Sequence, residues 1–361
     1  MQESTWYRFV KEEWLFVVSI VGLLSTSVYL RRVPTYDFSD FTTLYTLFVL
    51  FAIVNGLQKY RVLSKVALRM EDGHFLPVRL LLITFFFSMI VTNDVAVLSI
   101  VPVTLALNIP HKEWVVILEA LAANAGSALS PFGNPQNLFI YWHYGMSFWQ
   151  FIKAIMPFSL SFLALLLLMG FVISYRIHGY HPLPQTSEAI KLFKRAYFYL
   201  GALPLFVLCI VQVLPLWLGI VVLLGIFIIE RGKIHTDYLL LATFAVFFGF
   251  TDNLKVLLAA RLAHPHHVFL LSSLLSQVIS NVPAALLMAD FTDRWRALLW
   301  GVSVGGYGSL IGSMASLIAY RLYQKNVGSM AGNFLVKFHA VSYSAFFIGW
   351  LVYLIFYHVA G

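Results

Sequence analysis

Charge is scarce in this sequence of 361 residues. Asp, Glu, Lys and Arg together make up 11% of it, under half of the roughly 25% of a soluble globular chain. Cysteine is scarcer, a single residue, Cys209, inside an apolar run. One thiol excludes a disulfide scaffold and a thiolate metal centre. Catalytic signatures are missing as well: no His-Glu-x-x-His, no Gly-x-Ser-x-Gly, no phosphate-binding Gly-x4-Gly-Lys-Ser/Thr and no dinucleotide-binding glycine turn. With no nucleophile–base pair in its apolar segments, the chain does not read as an enzyme, and no cofactor is implied. Met1–Thr5 carries neither a basic region nor a small-residue cleavage site, so the first apolar segment reads as a retained helix rather than a signal peptide.

Apolar residues are what the chain has in excess. They make up 60% of it, with 32 Phe, and the mean hydropathy is +0.82. At about 20 apolar residues per crossing, such a chain spends nearly its whole length in a bilayer. The net charge of +8 then reports basic residues on cytoplasmic loops rather than a nucleic-acid surface.

Apolar segments run near Leu15–Leu30, Phe41–Leu57, Leu76–Leu107, Trp114–Gly145, Phe151–Tyr175, Ala196–Leu214, Leu216–Ile229, Tyr238–Phe250, Val268–Phe291, Leu298–Tyr320 and Phe334–Phe356. Basic residues cluster after the second segment (Lys59, Arg61, Lys65, Arg69, Arg79) and after the fifth (Arg176, Lys191, Lys194, Arg195). Both clusters are cytoplasmic only if an even number of crossings separates them, yet three segments lie between. Leu76–Leu107 resolves the parity, because Thr92-Asn93-Asp94 interrupts it midway and turns it into a re-entrant hairpin. Val268–Phe291 is built alike around Ser280-Asn281-Val282-Pro283. The expected fold class is therefore an all-α polytopic membrane protein with about nine transmembrane helices, two re-entrant hairpins and two discontinuous helices. The N-terminus is cytoplasmic and the C-terminus external. Cytoplasmic segments then hold 17 basic residues and external ones 7.

The order of elements repeats: two spans, a hairpin with an Asn at its tip, a broken helix and a closing span. Gly126–Leu138 aligns with Gly305–Leu317 without gaps, pairing Gly126 with Gly305, Ser130 with Ser309 and Gly133 with Gly312. The first repeat is read over 1–195, with hairpin 76–108, broken helix 113–145, closing helix 151–175 and a cytoplasmic loop. A linking helix, 196–214, inverts the second repeat, 215–361, which has hairpin 265–296, broken helix 297–322 and last helix 334–358. Inverted repeats of this kind hold their site at the midplane, between discontinuous elements of both halves.

Irregular backbone at membrane depth is tolerated only when buried in protein or lining a wet cavity. The candidate site residues are accordingly Thr92, Asn93, Asp94, Asn124, Ser130, Gly133, Asn134 and Asn137 in the first half. Their counterparts in the second are Ser280, Asn281, Pro283, Ser309, Gly312 and Ser313. Helix N-termini with Ser and Thr hydroxyls suit an anion, whereas carbonyls with Asn oxygens suit a small cation, which makes Asn93 and Asn281 candidate Na⁺ ligands. An acid at the midplane is costly and usually functional, so Asp94 and Glu119 are candidate proton-coupling groups. The competing readings are a helix-capping carboxylate for Asp94 and a buried acid bonded to a neighbouring helix for Glu119. Asp252, near Lys255, reads as an interfacial ion pair or cap. His264-Pro265-His266-His267 sits in a short loop and is not read as a metal site.

Thr92-Asn93-Asp94-Val95-Ala96, the run Glu119–Asn137, Ser276–Ala284 and Gly305–Ser316 together resemble the ion transporter superfamily. They resemble its citrate-transporter-like domain and its arsenite-permease and NhaD-type antiporter members, and in particular the YbiR-type bacterial inner-membrane permeases. The resemblance spans nearly the whole chain. It implies a scaffold, a transport domain built from both hairpins and both broken helices, elevator-type motion, a homodimer and a location in a bacterial inner membrane. Dicarboxylate members carry Ser-Asn-Thr at both tips; here the tips read Thr-Asn-Asp and Ser-Asn-Val. The expectation is a secondary active transporter of a small anion, an inorganic oxyanion or a carboxylate, coupled to H⁺ or Na⁺. A Na⁺/H⁺ antiporter-like transporter is the alternative, with an ion channel behind it.

Overall fold

The computed structural model describes residues 13–62, 75–107, 109–176, 194–258, 267–327 and 332–359. Every regular element among them is a helix. Lys65, Arg69 and Lys191 of the basic clusters and His264–His266 of the histidine tract lie outside the described residues. In chain order the helices are α1 (Trp14–Leu30), α2 (Phe38–Lys59), α3 (Leu76–Ile90), α4 (Asn93–Ala106) and α5 (Lys112–Ala128). Then come α6 (Pro135–His143), α7 (Phe148–Arg176), α8 (Lys194–Ile210), α9 (Leu218–Ile229) and α10 (Tyr238–Leu258). The last five are α11 (Val268–Ile279), α12 (Asn281–Ala289), α13 (Trp295–Gly305), α14 (Met314–Val327) and α15 (Gly332–Val359), with a short 3₁₀ turn at Leu310–Gly312.

Four helices, Phe38–Lys59, Phe148–Tyr175, Tyr238–Leu257 and Asn333–Phe356, are long and apolar enough to cross a membrane by length and composition. The remaining apolar helices are shorter. In the two expected hairpins the arms have 15 and 14 residues, and 12 and 9. At 1.5 Å per residue the longest arm extends about 22 Å, short of the roughly 30 Å hydrocarbon core. That length suits arms that enter and return.

Local chemistry sets where these helices start and stop. Asp37 precedes α2 in a capping box, its backbone N–H donating to the Asp40 carboxylate at 2.9 Å. Pro135 opens α6, where its missing N–H costs nothing, and the side chain of Asn134 accepts from the Asn137 N–H at 3.0 Å to cap it. Val91 and Thr92 alone separate α3 from α4, while Ser280 alone separates α11 from α12. Ser280 adopts φ +75°, ψ 160°, a region that a side chain makes expensive, by about 1–3 kcal/mol. The second tip thus folds on one strained residue.

Packing sorts the helices into two groups. α1, α2, α8, α9 and α10 pack mainly among themselves, while α3–α7 and α11–α15 form the other cluster. Within the second group α3 packs on α5 and α11 packs on α13 in the same way. The far arms cross over: α4 rests on α14, and α12 rests on α6. Contact between the groups runs through α2 against α6 and α4, and through α10 against α12. α5 sits deepest, with Val115–Ala128 wholly buried; its small residues let neighbouring backbones approach closely.

Matching atoms carry the correspondence between halves. Ser130 Oγ donates to the Met89 carbonyl at 2.6 Å, and Ser309 Oγ donates to the Gln277 carbonyl at 2.9 Å. Met89 and Gln277 each lie four residues before their tip Asn. A Cβ on Gly126 would fall 2.1 Å from the Phe85 carbonyl oxygen and 2.5 Å from Ser88 Oγ. One on Gly305 would fall 2.4 Å from Ser276 Cβ. Ser88 and Ser276 occupy the same position relative to their tips.

Candidate functional site

The broken helices and hairpin tips meet at Asn124, which is 6% exposed. Its Oδ1 accepts from Asn93 Nδ2 at 3.0 Å and from Ser313 Oγ at 2.8 Å. Its Nδ2 donates to the Gly306 carbonyl at 3.1 Å. One amide therefore ties the first tip to the break of the second helix. Asn281 Nδ2 completes the approach, lying 3.4 Å from where a Gly306 Cβ would stand. Tyr307, fully buried, points its hydroxyl at the Leu121 carbonyl, 3.5 Å away.

On the first side, the backbone N–H of Asn93 donates to the Gly133 carbonyl at 3.2 Å. Asn93 Oδ1 accepts the Asp94 N–H at 3.0 Å, and the Ala96 N–H donates to the Thr92 carbonyl at 2.9 Å to close the first turn of α4. Asn134 Nδ2 donates to Ser127 Oγ at 3.2 Å. Asn137 Nδ2 donates to three carbonyls at the end of α5: Ser127 at 3.2 Å, Ala128 at 3.1 Å and Ser130 at 3.0 Å. Asp94 Oδ1 and Asn137 Oδ1 are buried with no hydrogen-bond partner.

Gln277 does the equivalent work on the second side. Its Nε2 donates to the carbonyls of Tyr307 at 2.8 Å, Gly305 at 2.9 Å and Ser273 at 3.3 Å. Its Oε1 accepts the Ser309 N–H at 2.7 Å. Ser309 Oγ also accepts the Gly312 N–H at 3.0 Å, forming the 3₁₀ turn. Pro283 sits in the first turn of α12, where it lacks only an N–H that would have no helical partner.

The sequence-derived residues Asn93, Asn124, Ser130, Gly133, Asn134 and Asn137 are thus linked to one another and to Ser313, with Asn281 beside them, while Ser309 and Gly312 belong to the adjoining Gln277 cluster. Thr92 and Ser280 contribute the two tip turns rather than side-chain caps. Gln277, Ser127 and Ser303 were not legible as site residues. Gln277 sits in a regular helix and finds partners about 30 positions away; only alignment with Met89 would flag it. Ser303, the counterpart of Asn124 in the repeat alignment, has its hydroxyl buried without a partner.

Glu119 is fully buried in α5. Thr104 of α4 donates to its Oε1, while Oε2 has no partner. Among the described residues no ion pair includes Asp94 or Glu119, and no group of three or more His, Cys, Asp or Glu could hold a metal ion. Asp252 pairs with Arg32 and accepts from the Thr35 N–H at 2.9 Å and the Thr35 hydroxyl at 3.1 Å. Lys255, its sequence neighbour, instead faces Asp290 at 3.7 Å. An open cavity of about 370 Å³ lies elsewhere, beside Asn55, Gly56, Lys59, Tyr199, Glu230 and His235.

Residues 13–305 match the family described as citrate transporter. The chain belongs to the citrate transporter family. It is 32% identical to the uncharacterized transporter MJ0456 of Methanocaldococcus jannaschii over 335 residues, 90% of this chain and 92% of that protein. It is 34% identical to the inner membrane protein YbiR of Escherichia coli, covering 78% of this chain and 80% of that one. The silicon efflux transporter LSI3 of Oryza sativa subsp. japonica is 35% identical over 107 residues, 28% of this chain and 22% of that protein. As a member of the citrate transporter family the chain is a polytopic membrane transporter and not an enzyme.

Proposed function

We propose that this chain is a secondary active transporter of a small anion, an inorganic oxyanion or a carboxylate, coupled to H⁺ or Na⁺. The observation that carries the reading is the convergence of four half-helix starts. α4, α12 and α14 begin at Asn93, Asn281 and Ser313 around Asn124, and α6 begins just after Gly133, whose carbonyl receives the Asn93 N–H. Each brings the positive end of its dipole and first-turn N–H groups. No basic side chain belongs to the network, so an anion would be held by backbone and by Asn and Ser groups.

Asp94 at the first tip and Glu119 behind it supply the coupling in this reading. Each has a buried carboxyl oxygen without a partner, the position of a group that takes up and releases a proton. Val282 stands where the second half would match Asp94, so one coupling acid acts at the tips. Motion follows the packing: the hairpin cluster moves as a body past α2 and α10, the helices through which the two groups touch. The two halves then act as an inverted repeat with nine crossings, a cytoplasmic N-terminus, an external C-terminus and a homodimeric assembly in a bacterial inner membrane.

Asp94 Oδ1 and Asn137 Oδ1 also favour a second reading. Two unpartnered oxygens would suit a cation, as in a Na⁺/H⁺ antiporter-like transporter.

Flux into proteoliposomes tests both. Wild-type protein is expected to accumulate an anion, from a panel of arsenite, citrate, succinate, sulfate and phosphate, under an imposed pH or Na⁺ gradient. Asp94→Asn is expected to bind the same anion and to lose the response to the gradient. An unaltered gradient response in Asp94→Asn would remove Asp94 from coupling. A conductance far above transporter turnover would instead identify a channel.

A further inference from the structure

Asn137 and Gln277, which no motif singled out as a pair, make the same contact in opposite halves of the molecule. A helix that stops inside the membrane leaves its last carbonyls without helical donors, and a ring of such carbonyls is what a small monovalent cation would bind. At the end of α5, the carbonyls of Ser127, Ala128 and Ser130 all receive Asn137 Nδ2, at 3.0–3.2 Å. At the end of α13, those of Gly305 and Tyr307 receive Gln277 Nε2 at 2.8–2.9 Å, with Ser273 of α11 at 3.3 Å. Ala128 and Tyr307 are partners in the repeat alignment. The orientation of the Gln277 amide is fixed by chemistry, because the Ser309 N–H requires an acceptor at Oε1 and leaves the NH₂ facing only carbonyls.

An amide NH₂ carries partial positive charge and donates without bringing a net charge. The two amides reach these rings by different routes. Asn137 comes from the first turn of α6 within its own broken helix, whereas Gln277 comes from the hairpin arm α11. Three further acceptors nearby are also taken, while Asp94 Oδ1 and Asn137 Oδ1 stay without a partner. The Gly133 carbonyl receives the Asn93 N–H. Asn93 Oδ1 receives the Asp94 N–H, and Asn124 Oδ1 receives two donors.

We propose that the Asn137 and Gln277 amides are built-in surrogates for a coupling cation. They fill both carbonyl rings, so the transport domain is assembled without sodium and the proton is the coupling ion. This inference rests on the transport reading above and narrows it. Gln277 also becomes a positioning residue, since its four contacts with Gly305, Tyr307 and Ser309 hold the second tip to its broken helix whether or not substrate is present.

The experiment is thermal unfolding of the purified full chain in NaCl and in choline chloride of equal ionic strength, alongside flux measured in the two salts. A sodium ion bound at about 100 times its Kd would raise the midpoint by several degrees. Wild-type protein is expected to unfold at the same temperature in both salts, and its pH-driven flux is expected to persist in choline. A sodium-specific rise in midpoint, or loss of flux on sodium removal, overturns the proposal. Gln277→Glu sets a carboxylate oxygen against the carbonyls and is expected to gain a sodium-specific stabilisation that the wild type lacks. Asn137→Asp is the second variant, read the same way if the first does not fold. A folded variant that ignores sodium overturns the surrogate role. Absence of flux for every anion would count against the transport reading alone, because the unfolding comparison needs no substrate.

Discussion

Asn124 shows how much one buried amide can decide. Its three hydrogen bonds reach a hairpin tip, a broken-helix backbone and a broken-helix hydroxyl, so its loss strands partners on three elements. Each buried polar group left unpaired costs about 1–3 kcal/mol. Asn124→Leu, similar in size, is therefore expected to lower the unfolding midpoint measurably and to abolish flux, whereas Asn93→Ala removes one of the three bonds and costs less. Unfolding in detergent and flux in proteoliposomes check both. Glu119 obeys the same accounting. Thr104→Val removes the donor to its Oε1 and is expected to destabilise the protein, while Glu119→Gln supplies an NH₂ and is tolerated structurally. A Glu119→Gln variant that folds but no longer responds to pH would assign it to coupling; one with normal pH-driven flux would leave it structural. The first tip's polar residues were legible because each breaks an apolar run. The role of Gln277 was not, since a polar residue inside a helical segment of ordinary composition carries no local signal.

At the scale of elements, close approach governs. Ala is a better helix former than Gly by about 1 kcal/mol, so Gly126→Ala and Gly305→Ala would stabilise isolated helices. Here a Cβ at Gly126 would stand 2.1 Å from the Phe85 carbonyl oxygen, which cannot rotate away. The steric term dominates, and both substitutions are expected to destabilise, Gly126→Ala more, because its nearest obstacle is backbone. At Gly305 the nearest atom belongs to the Ser276 side chain, with the Ser273 carbonyl oxygen at 3.1 Å. Midpoints of the two variants, compared under one condition, check the order. The hairpins themselves were readable from the interrupting triplets and from charge parity, since a polar tip flanked by two short apolar arms has few other uses. Their exchange of partners, α4 on α14 and α12 on α6, was not, because no local pattern says which distant helix an apolar arm will cover.

For the whole molecule, the group formed by α1, α2, α8, α9 and α10 is pinned by polar clusters near its ends. Asn253 Nδ2 donates to Thr26 Oγ1 at 3.1 Å and Ser27 Oγ at 2.8 Å, holding α10 to α1. At the other end of the group Glu230 accepts from Lys59, from the Tyr60 hydroxyl at 2.8 Å and from the Tyr199 hydroxyl at 3.0 Å, joining α2, α8 and the end of α9. Burial pushes the Glu230 carboxyl up, but these three donors outweigh it and hold the group below the usual carboxylate range. A carboxyl depressed on folding contributes stability above its unfolded value, about 4.3, and loses it as the pH falls through the folded value. Glu230→Gln is therefore expected to destabilise at neutral pH, with the difference from wild type vanishing under acid conditions below that range; unfolding midpoints across pH measure it. A constant difference at every pH would assign the effect to lost packing. The sequence by itself determined the membrane class, the breaks in the helices and the repeated order of elements. Scarce charge, polar interruptions and chain order are local properties that need no partner to be read. Tertiary structure alone decided which donors meet which carbonyls. Asn124, Asn137 and Gln277 acquire their roles from helix ends buried inside the protein, where every unsatisfied backbone group must find a partner in the fold.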